Sequence, residues 1–263
     1  MKKFYAFLII VMVAACTHQK PAPTETAEGG KPLTWEQVLK EQGTRADSLT
    51  TVLGKMSVEF EGHDESVRGL GTSGVILPND YLLEIRDPVG RLHFQAVNRG
   101  SSFEGYFPRY KKIYKDRSSG KPFFQKTWGM PISFPELSRL SAGLLPKMLE
   151  KQKPASLQWG EGAYEAKFAV EKTDASIGLN EEGALTRLHW QRPEGDVDVT
   201  WRDFRPCCKW KTESSFSFAH AIEIKTKDSV ILIRWKSLQN WETIPPEAFK
   251  VQTTAGTKVI QLD

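Results

Sequence analysis

Residues 81–96 read YLLEIRDPVGRLHFQA, and this stretch decides the fold. Apolar side chains recur at every second position before and after the Asp87–Gly90 segment, while most of the positions between them are polar or charged. Such alternation is typical of β-strands that have one buried and one solvated face. Asp, Pro and Gly favour a tight turn, so the stretch predicts an antiparallel hairpin.

The same alternation continues along most of the chain. About ten short strands of this kind predict a mainly β domain, either a sandwich or a single curved, barrel-like antiparallel sheet. The apolar members of the other series are Met56, Val58, Phe60; Phe103, Gly105, Phe107; Tyr164, Ala166, Phe168, Val170; Leu188, Trp190; Val197, Val199, Trp201; Ile222, Ile224; and Ile231, Ile233, Trp235.

Two segments predict helices that cover the sheet. The first, Thr34–Leu53, opens with a Thr and has a Gln three positions later, the pattern of a capping box, and the spacing predicts one or two amphipathic helices interrupted near Gly43. The second, Phe134–Leu149, carries an apolar stripe at helical spacing. Gly143 and Pro146 interrupt that stripe and predict a weakened or split helix.

The amino terminus has the features of a cleaved export signal. Two lysines are followed by an uncharged apolar run, Phe4–Ala15, which is too short for a permanent membrane span. Small residues directly before Cys16 resemble the lipobox of bacterial lipoproteins, in which the cysteine is acylated and becomes the new amino terminus. The other interpretation is an ordinary secretory signal with a chance cysteine. In lipoproteins of this kind an Asp after the cysteine favours the inner membrane; here Thr17 favours the periplasmic face of the outer membrane.

The rest of the chain divides into a tether and one domain. After the signal peptide (1–15), residues 16–33 hold Cys16 and a Pro-, Thr-, Glu- and Gly-rich stretch that predicts a flexible tether. Residues 34–263 contain no second linker and no repeat, so they predict one domain. Its last residues, 244–263, include Val251, Val259 and Ile260 and could add another strand.

Composition and motifs exclude several classes of function. Loss of Lys2 and Lys3 with the signal leaves 34 basic and 32 acidic side chains, which is too even a balance to predict a nucleic-acid partner. The sequence has no P-loop, G-x-S-x-G or H-E-x-x-H motif and no cysteine pair at zinc spacing, and its five histidines are scattered. We therefore expect no enzyme, no metal site and no cofactor. The adjacent Cys207 and Cys208 are interpreted as a structural or incidental pair, with metal capture as the alternative.

Several ordered motifs resemble the LolB family, outer-membrane lipoproteins of the LolA/LolB-like half-barrel class that receive other lipoproteins from a periplasmic carrier. The family has an N-P-L-G loop after a Y-x-L-x-L strand, and here Asp87–Gly90 follows Tyr81–Ile85. A family G-M-P-I-P segment is matched by Gly129–Ile132, and its later G-L-P by Gly143–Pro146. A W-x-V-x-Y-x-x-Y-like strand is similar to Val197–Phe204.

The resemblance implies an unclosed (half) β-barrel covered by helices around an apolar cavity that holds acyl chains. It also implies a membrane-delivery loop formed by Asp87, Pro88, Val89 and Gly90, with Val89 at its tip in place of the family's Leu. The partners that it implies are a LolA-like periplasmic carrier, lipoprotein acyl chains and outer-membrane lipid. The side chains expected to line the acyl-chain cavity are Leu83, Ile85, Leu92, Phe94, Met130, Ile132, Leu140, Leu144, Trp190, Trp201 and Ile233.

Two alternatives stay open at the level of sequence. The same apolar side chains fill the interior of any β-domain, so a well-packed core competes with a ligand cavity. The chain also departs from the family in its smaller loop tip, its longer carboxyl-terminal tail and a longer, basic 109–126 segment. A half-barrel lipoprotein with other lipid cargo, or a scaffolding lipoprotein that only binds a protein, is therefore the alternative function.

Replacement of Cys16 by Ala should abolish lipidation, because the cysteine sulfur is the atom to which the lipid would be attached. The measurement is labelling of cells with a fatty acid, followed by fractionation of the envelope. An Ala variant that still incorporates label and stays with the membrane would show that Cys16 is not the anchor.

Overall fold

The structure, a computed structural model, describes residues 33–49, 51–62, 66–76, 80–170, 173–206, 217–240 and 244–262. Residues from Pro32 to Asp263 form one compact unit. Cys16, Cys207 and Cys208 lie outside the described residues, so their predicted roles stay predictions.

Within the described residues, one curved sheet of fourteen strands organises the domain. Its spatial order is β14-β6-β5-β4-β3-β2-β1-β13-β12-β11-β10-β9-β8-β7, and its two ends, β14 and β7, are not paired with each other. The sheet is therefore an unclosed barrel, as the resemblance implies. The strands are β1 (Thr51–Glu61), β2 (Ser66–Ile76), β3 (Asp80–Arg86), β4 (Leu92–Arg99), β5 (Ser102–Phe107), β6 (Lys112–Asp116), β7 (Ser156–Gly160), β8 (Ala163–Val170), β9 (Thr173–Leu179), β10 (Leu185–Trp190), β11 (Val197–Pro206), β12 (Ser217–Lys225), β13 (Val230–Asn240) and β14 (Lys258–Gln261).

The hairpin predicted from residues 81–96 is present in the structure. β3 and β4 pair antiparallel, with Leu83 opposite Ala96 and a register shift after Ile85 beside the turn. Every alternating series quoted above lies within a strand. Strands β2, β6, β7 and β9 were not predicted from alternation. In β2 and β9, Gly, Ser and Thr residues weaken the apolar period from which a strand is recognised. β6 and β7 have 5 residues each, too few to show a clear period.

The carboxyl-terminal segment adds the predicted extra strand in a parallel orientation. β14 pairs with β6, with Val259 opposite Ile113, and this is the one parallel pair in the described part of the sheet. Before it, residues 244–251 pack on the convex face of the sheet. A second small core forms there from Leu82, Val97, Ile244 and Phe249.

In the part of the chain that the structure describes, four α-helices accompany the sheet: α1 (Trp35–Ser48), α2 (Lys121–Trp128), α3 (Phe134–Ser141) and α4 (Lys147–Glu150). The predicted capping box is confirmed, since the Thr34 hydroxyl accepts from the Gln37 N–H and the Gln37 side chain accepts from the Thr34 N–H. A single helix runs through Gly43, and its end before Thr51 corrects the prediction of helix up to Leu53. There β1 pairs with both β2 and β13, and these long-range ladders prevail over local helical spacing.

The second predicted helical segment is split, as expected. α3 ends at Ser141, Gly143 takes a left-handed conformation with φ 68°, and α4 begins after Pro146. We call Phe134–Glu150 the helical cover. Its apolar residues Phe134, Leu137 and Leu140 are buried in the main core together with the concave face of the sheet.

Candidate functional site

The concave face of the half-barrel is lined by apolar and aromatic side chains. Phe94 lies 4.8 Å from Phe107 and 5.2 Å from Trp128 between ring centroids, and Phe60 stacks on Trp128 at 4.7 Å. Phe134 of the helical cover lies 6.0 Å from Tyr81 of β3. This continuous set of aromatic contacts fills the space between the sheet and α2.

The helical cover is attached to the sheet by a few polar contacts. The indole N–H of Trp201 on β11 donates to the Leu140 carbonyl at 2.8 Å, and that of Trp235 on β13 donates to the Ser141 carbonyl at 3.0 Å. These carbonyls belong to the last turn of α3, where few N–H partners remain within the helix. The Leu140 carbonyl also accepts from the Gly143 N–H at 3.1 Å. Two tryptophans of the sheet therefore cap the carboxyl end of α3.

A glycine on β1 makes room for one of these capping residues. A Cβ at Gly54 would overlap the ring of Trp235, so any larger residue there would displace the indole that binds the cover. At the other end of α3, the Ser133 hydroxyl and the Glu136 side chain form a capping box. Arg192, which follows β10, also donates to the Glu136 carboxylate at 3.3 Å.

Buried polar groups join the parts of the cover to one another and to α1. Arg139 is 5% exposed; its Nε donates to the Leu145 carbonyl at 2.7 Å, and its guanidinium pairs with Glu150 of α4. The Leu145 N–H donates to the Gln42 side chain of α1 at 3.0 Å. Burial also raises the pKa of Tyr81 to about 12, although the charge of Arg139 opposes that shift. Tyr81 is thus neutral at physiological pH.

Two small apolar cavities lie beneath the helical cover. The first has a volume of about 30 Å³ and the second about 20 Å³. For comparison, an engineered apolar cavity of roughly 150 Å³ in another protein binds one benzene molecule. Neither space admits an acyl chain in this conformation. The first is lined by Met56, Val58, Phe60, Ser73, Leu83, Ile85, Trp128, Phe134, Leu137, Ser138, Ser141, Ile231, Ile233 and Trp235, and the second by Leu49, Ser73, Val75, Ser138, Arg139, Ser141, Ala142, Leu144, Phe218, Trp235 and Leu238.

The structure divides the eleven residues predicted to line the acyl-chain cavity. Leu83, Ile85 and Ile233 line the first space and Leu144 lines the second. Six others belong to the same buried core without lining either space, namely Phe94, Met130, Ile132, Leu140, Trp190 and Trp201. Leu92 is only partly buried, where β4 leaves the turn. An acyl-binding role for the set stays a prediction.

Several residues that line the first cavity were missed as site residues. Met56, Val58 and Phe60 carried the alternation of β1, and Trp128 directly precedes the Gly129–Ile132 motif. The sequence signal for a buried side chain was therefore present. What it lacked was the register that places β1 next to both β2 and β13, below α3.

The predicted loop forms a well-defined turn at one end of the sheet. The Asp87 carboxylate accepts from the Val89 N–H at 3.0 Å, from the Arg91 N–H at 2.9 Å and from Arg91 Nε at 2.7 Å. Gly90 takes φ 86°, a left-handed conformation that glycine adopts without strain. Val89 is 75% exposed at the tip.

The pKa of Asp87 is lowered. Desolvation by itself would raise it, but hydrogen bonds from the side chain and backbone of Arg91, the charge of Arg91 and the Val89 N–H together outweigh that effect. A carboxyl with a depressed folded pKa stabilises the fold above its unfolded pKa, and the contribution is lost as the pH falls through the folded pKa. The turn is therefore fixed by an ionised Asp87 at neutral pH, and Val89 takes part through its main-chain N–H while its side chain stays exposed.

Two other features, a metal site and a membrane-spanning helix, are not found among the described residues. They contain no group of three or more His, Cys, Asp or Glu side chains arranged to hold a metal ion. Within the same residues, no helix is both long and apolar enough to span a bilayer. His189 lies 2.8 Å from Asp198 on the neighbouring strand, so one of the scattered histidines has a carboxylate partner.

Comparison with known proteins supports the fold. No family model and no curated protein matches the sequence. Solved structures do match, among them a domain described as an outer membrane lipoprotein-sorting protein from Vibrio parahaemolyticus, with TM-score 0.53, 10% identity, and coverage of 81% of this chain and 94% of that one. A LolA superfamily protein from Nitrosomonas europaea gives TM-score 0.53 at 8% identity, with 84% and 99% covered. A DUF1329 family protein from Desulfovibrio piger gives 0.55 at 7%, with 82% and 96% covered. The chain thus shares the LolA-like half-barrel fold.

Replacement of Trp201 by Phe should loosen the helical cover, because it leaves the Leu140 carbonyl without its indole donor. The carbonyl keeps the Gly143 N–H as a donor, so the variant loses one hydrogen bond, which is worth about 0.5–1.5 kcal/mol. We expect a loss of that order in the free energy of unfolding, measured by chemical denaturation. Trp159→Phe is the control, since Trp159 is exposed on the edge strand β7; equal losses in both variants would contradict the capping role.

Proposed function

We propose that this protein is an outer-membrane lipoprotein receptor that takes lipoproteins from a periplasmic carrier and transfers them to the outer membrane. Their acyl chains would occupy the space between the concave sheet and the helical cover. The observation that carries the proposal is the first cavity, a mainly apolar space beneath a short helix in a LolA-like fold. The function requires no covalent catalysis, no metal and no cofactor.

Binding of an acyl chain is physically reasonable at this site. Each CH₂ removed from water contributes about 0.8 kcal/mol, so a lipoprotein in transit needs an apolar host. The concave face provides such a surface on β1, β3 and β13, through Val58, Leu83 and Ile233. Because the closed cavity measures about 30 Å³, entry of a chain requires that α3 move away from the sheet.

The contacts of α3 are compatible with such a movement. Two indole hydrogen bonds and the Arg192–Glu136 pair attach it to the sheet. Each net contribution is of the order of 1 kcal/mol. Apolar side chains of α3 that leave the sheet would be replaced there by the acyl chain, so the apolar surface of the sheet stays covered in both states.

The loop at the end of the sheet suits delivery into a membrane. Asp87 holds the backbone of the turn through bonds from Arg91 and from the Val89 N–H, while the Val89 side chain takes no part in them. An exposed apolar side chain on a fixed turn can enter the acyl region of a bilayer without unfolding the hairpin. Lipidation of Cys16 and the following tether would keep the domain near that surface.

A second candidate is a scaffolding lipoprotein that only binds a protein. The small volume of both cavities favours it, because a filled core needs no ligand. The two functions differ in one property, which is saturable binding of an acyl chain.

Binding of a fluorescent fatty-acid analogue to the form that lacks residues 1–16 tests the proposal. Titration should give saturable binding near one molecule per chain, and unlabelled acyl ligands should displace the probe. If folded protein gives no saturable signal, the scaffolding function is favoured instead.

Replacement of Val89 by Glu should impair delivery and leave the fold intact. Val89 is exposed, so the melting temperature should hardly change, since surface substitutions usually stay within about 0.5 kcal/mol. The variant should accept cargo but transfer it poorly to liposomes, because a charge at the tip is costly to insert. Val89→Leu is the matched control and should transfer at least as well as the unmodified protein, since it adds about one CH₂, or about 0.8 kcal/mol. Full transfer by the Glu variant, or a large loss of stability, would contradict the delivery role.

A further inference from the structure

Trp128 differs from Trp35, Trp201 and Trp235 in the hydrogen bonding of its indole N–H. The indole N–H groups of Trp35, Trp201 and Trp235 each donate to a main-chain carbonyl. The Nε1 of Trp128 is buried, and no acceptor for it exists among the residues that the structure describes. Buried indole N–H groups usually have a partner, and a buried donor without one destabilises the fold.

The position of Trp128 is fixed by its surroundings. It is the last residue of α2 and is followed by Gly129 in a left-handed conformation. Its main-chain carbonyl accepts from the Ser229 hydroxyl, and its ring stacks on Phe60 with centroids 4.7 Å apart. The ring also meets Phe124 edge-on at 5.0 Å. These contacts keep the ring from turning toward another acceptor.

Trp128 lines the first cavity, where the other polar side chains are three serines. One of these, Ser141, already donates its hydroxyl hydrogen to the Leu137 carbonyl. A ligand chain that enters beside Trp128 must therefore supply a hydrogen-bond acceptor or leave the indole N–H unpaired.

We propose that the Trp128 indole N–H binds the carbonyl oxygen of an acyl ester or acyl amide, so that the site selects acylated ligands over plain hydrocarbon. The inference rests on the proposed function, because it assumes that apolar chains enter this cavity. This hydrogen bond adds polar recognition to an apolar site. Burial of the acyl chain supplies binding energy, and the position of the carbonyl determines how far the acyl chain enters. An ester-linked or amide-linked chain satisfies the donor, whereas an alkane of equal length does not.

Trp128→Phe is the variant that tests the indole, because it removes the N–H and keeps an aromatic ring against Phe60. Trp190→Phe is the matched control. The Nε1 of Trp190 is also buried without a described acceptor, but its ring faces the Arg192 guanidinium at 4.2 Å and does not line the first cavity. Both variants thus lose an unpaired buried indole N–H, and only one of them loses it at the cavity.

The measurement is displacement of a fluorescent fatty-acid analogue by a long-chain methyl ester and by the alkane of equal length, with the protein lacking residues 1–16. The unmodified protein and Trp190→Phe should prefer the ester by about five- to tenfold, the ratio that corresponds to one hydrogen bond. Trp128→Phe should bind both ligands with nearly equal affinity. Retention of the ester preference by Trp128→Phe would overturn the inference while leaving the proposed function intact.

A second readout does not depend on the stability of the variant. In ¹H–¹⁵N spectra of the unmodified protein, the indole resonance that Trp128→Phe eliminates should move downfield on addition of the ester and stay in place with the alkane. An indole resonance that responds equally to both ligands would contradict the inference. If neither ligand displaces the probe, or the probe itself does not bind, the proposed function fails first.

Discussion

A single open sheet must bury its concave face without a second sheet to pack against it, and the rest of the structure depends on that constraint. The described part of the sheet has fourteen strands, which curve around a space occupied by short helices. The helical cover, Phe134–Glu150, contributes apolar side chains to this space, but the last carbonyl groups of such short helices lack partners within the helix. From the sheet, Trp201 and Trp235 donate to two carbonyls of the last turn of α3, those of Leu140 and Ser141. The same residues thus belong to the wall of the barrel and hold its cover closed.

The sequence was sufficient for the class of fold and for the local signals. Strict alternation on β1, β3 and β13, the Thr34 capping box and the break at Gly143 each act between near neighbours, and each is present in the structure. Strands β2 and β9 were not predicted because their glycines and small polar residues produce no clear alternation of apolar and polar positions. The parallel addition of β14 depends on where the tail crosses the convex face, which no local pattern specifies.

The candidate site was predictable only in part, for the same reason. Burial of Leu83, Ile85 and Ile233 follows from alternation, whereas the choice of side chains that meet beneath α3 depends on the pairing of β1 with β13. The absence of a described partner for the Trp128 indole could not be inferred from sequence, because it is a property of packed surroundings. The exposure of Val89 could be predicted from sequence, because Asp87, Pro88 and Gly90 favour a turn that has Val89 at its tip.

The central claim is that the apolar space beneath the helical cover opens to hold acyl chains. Native mass spectrometry of the chain lacking residues 1–16, incubated with a synthetic triacylated lipopeptide, tests this claim most directly. The account predicts a one-to-one complex, together with faster amide hydrogen exchange in α3 when the lipopeptide is bound. Folded protein that shows only the mass of the unbound chain, with unchanged amide exchange in α3, would contradict the account. The half-barrel would then have a packed core that binds no acyl chain.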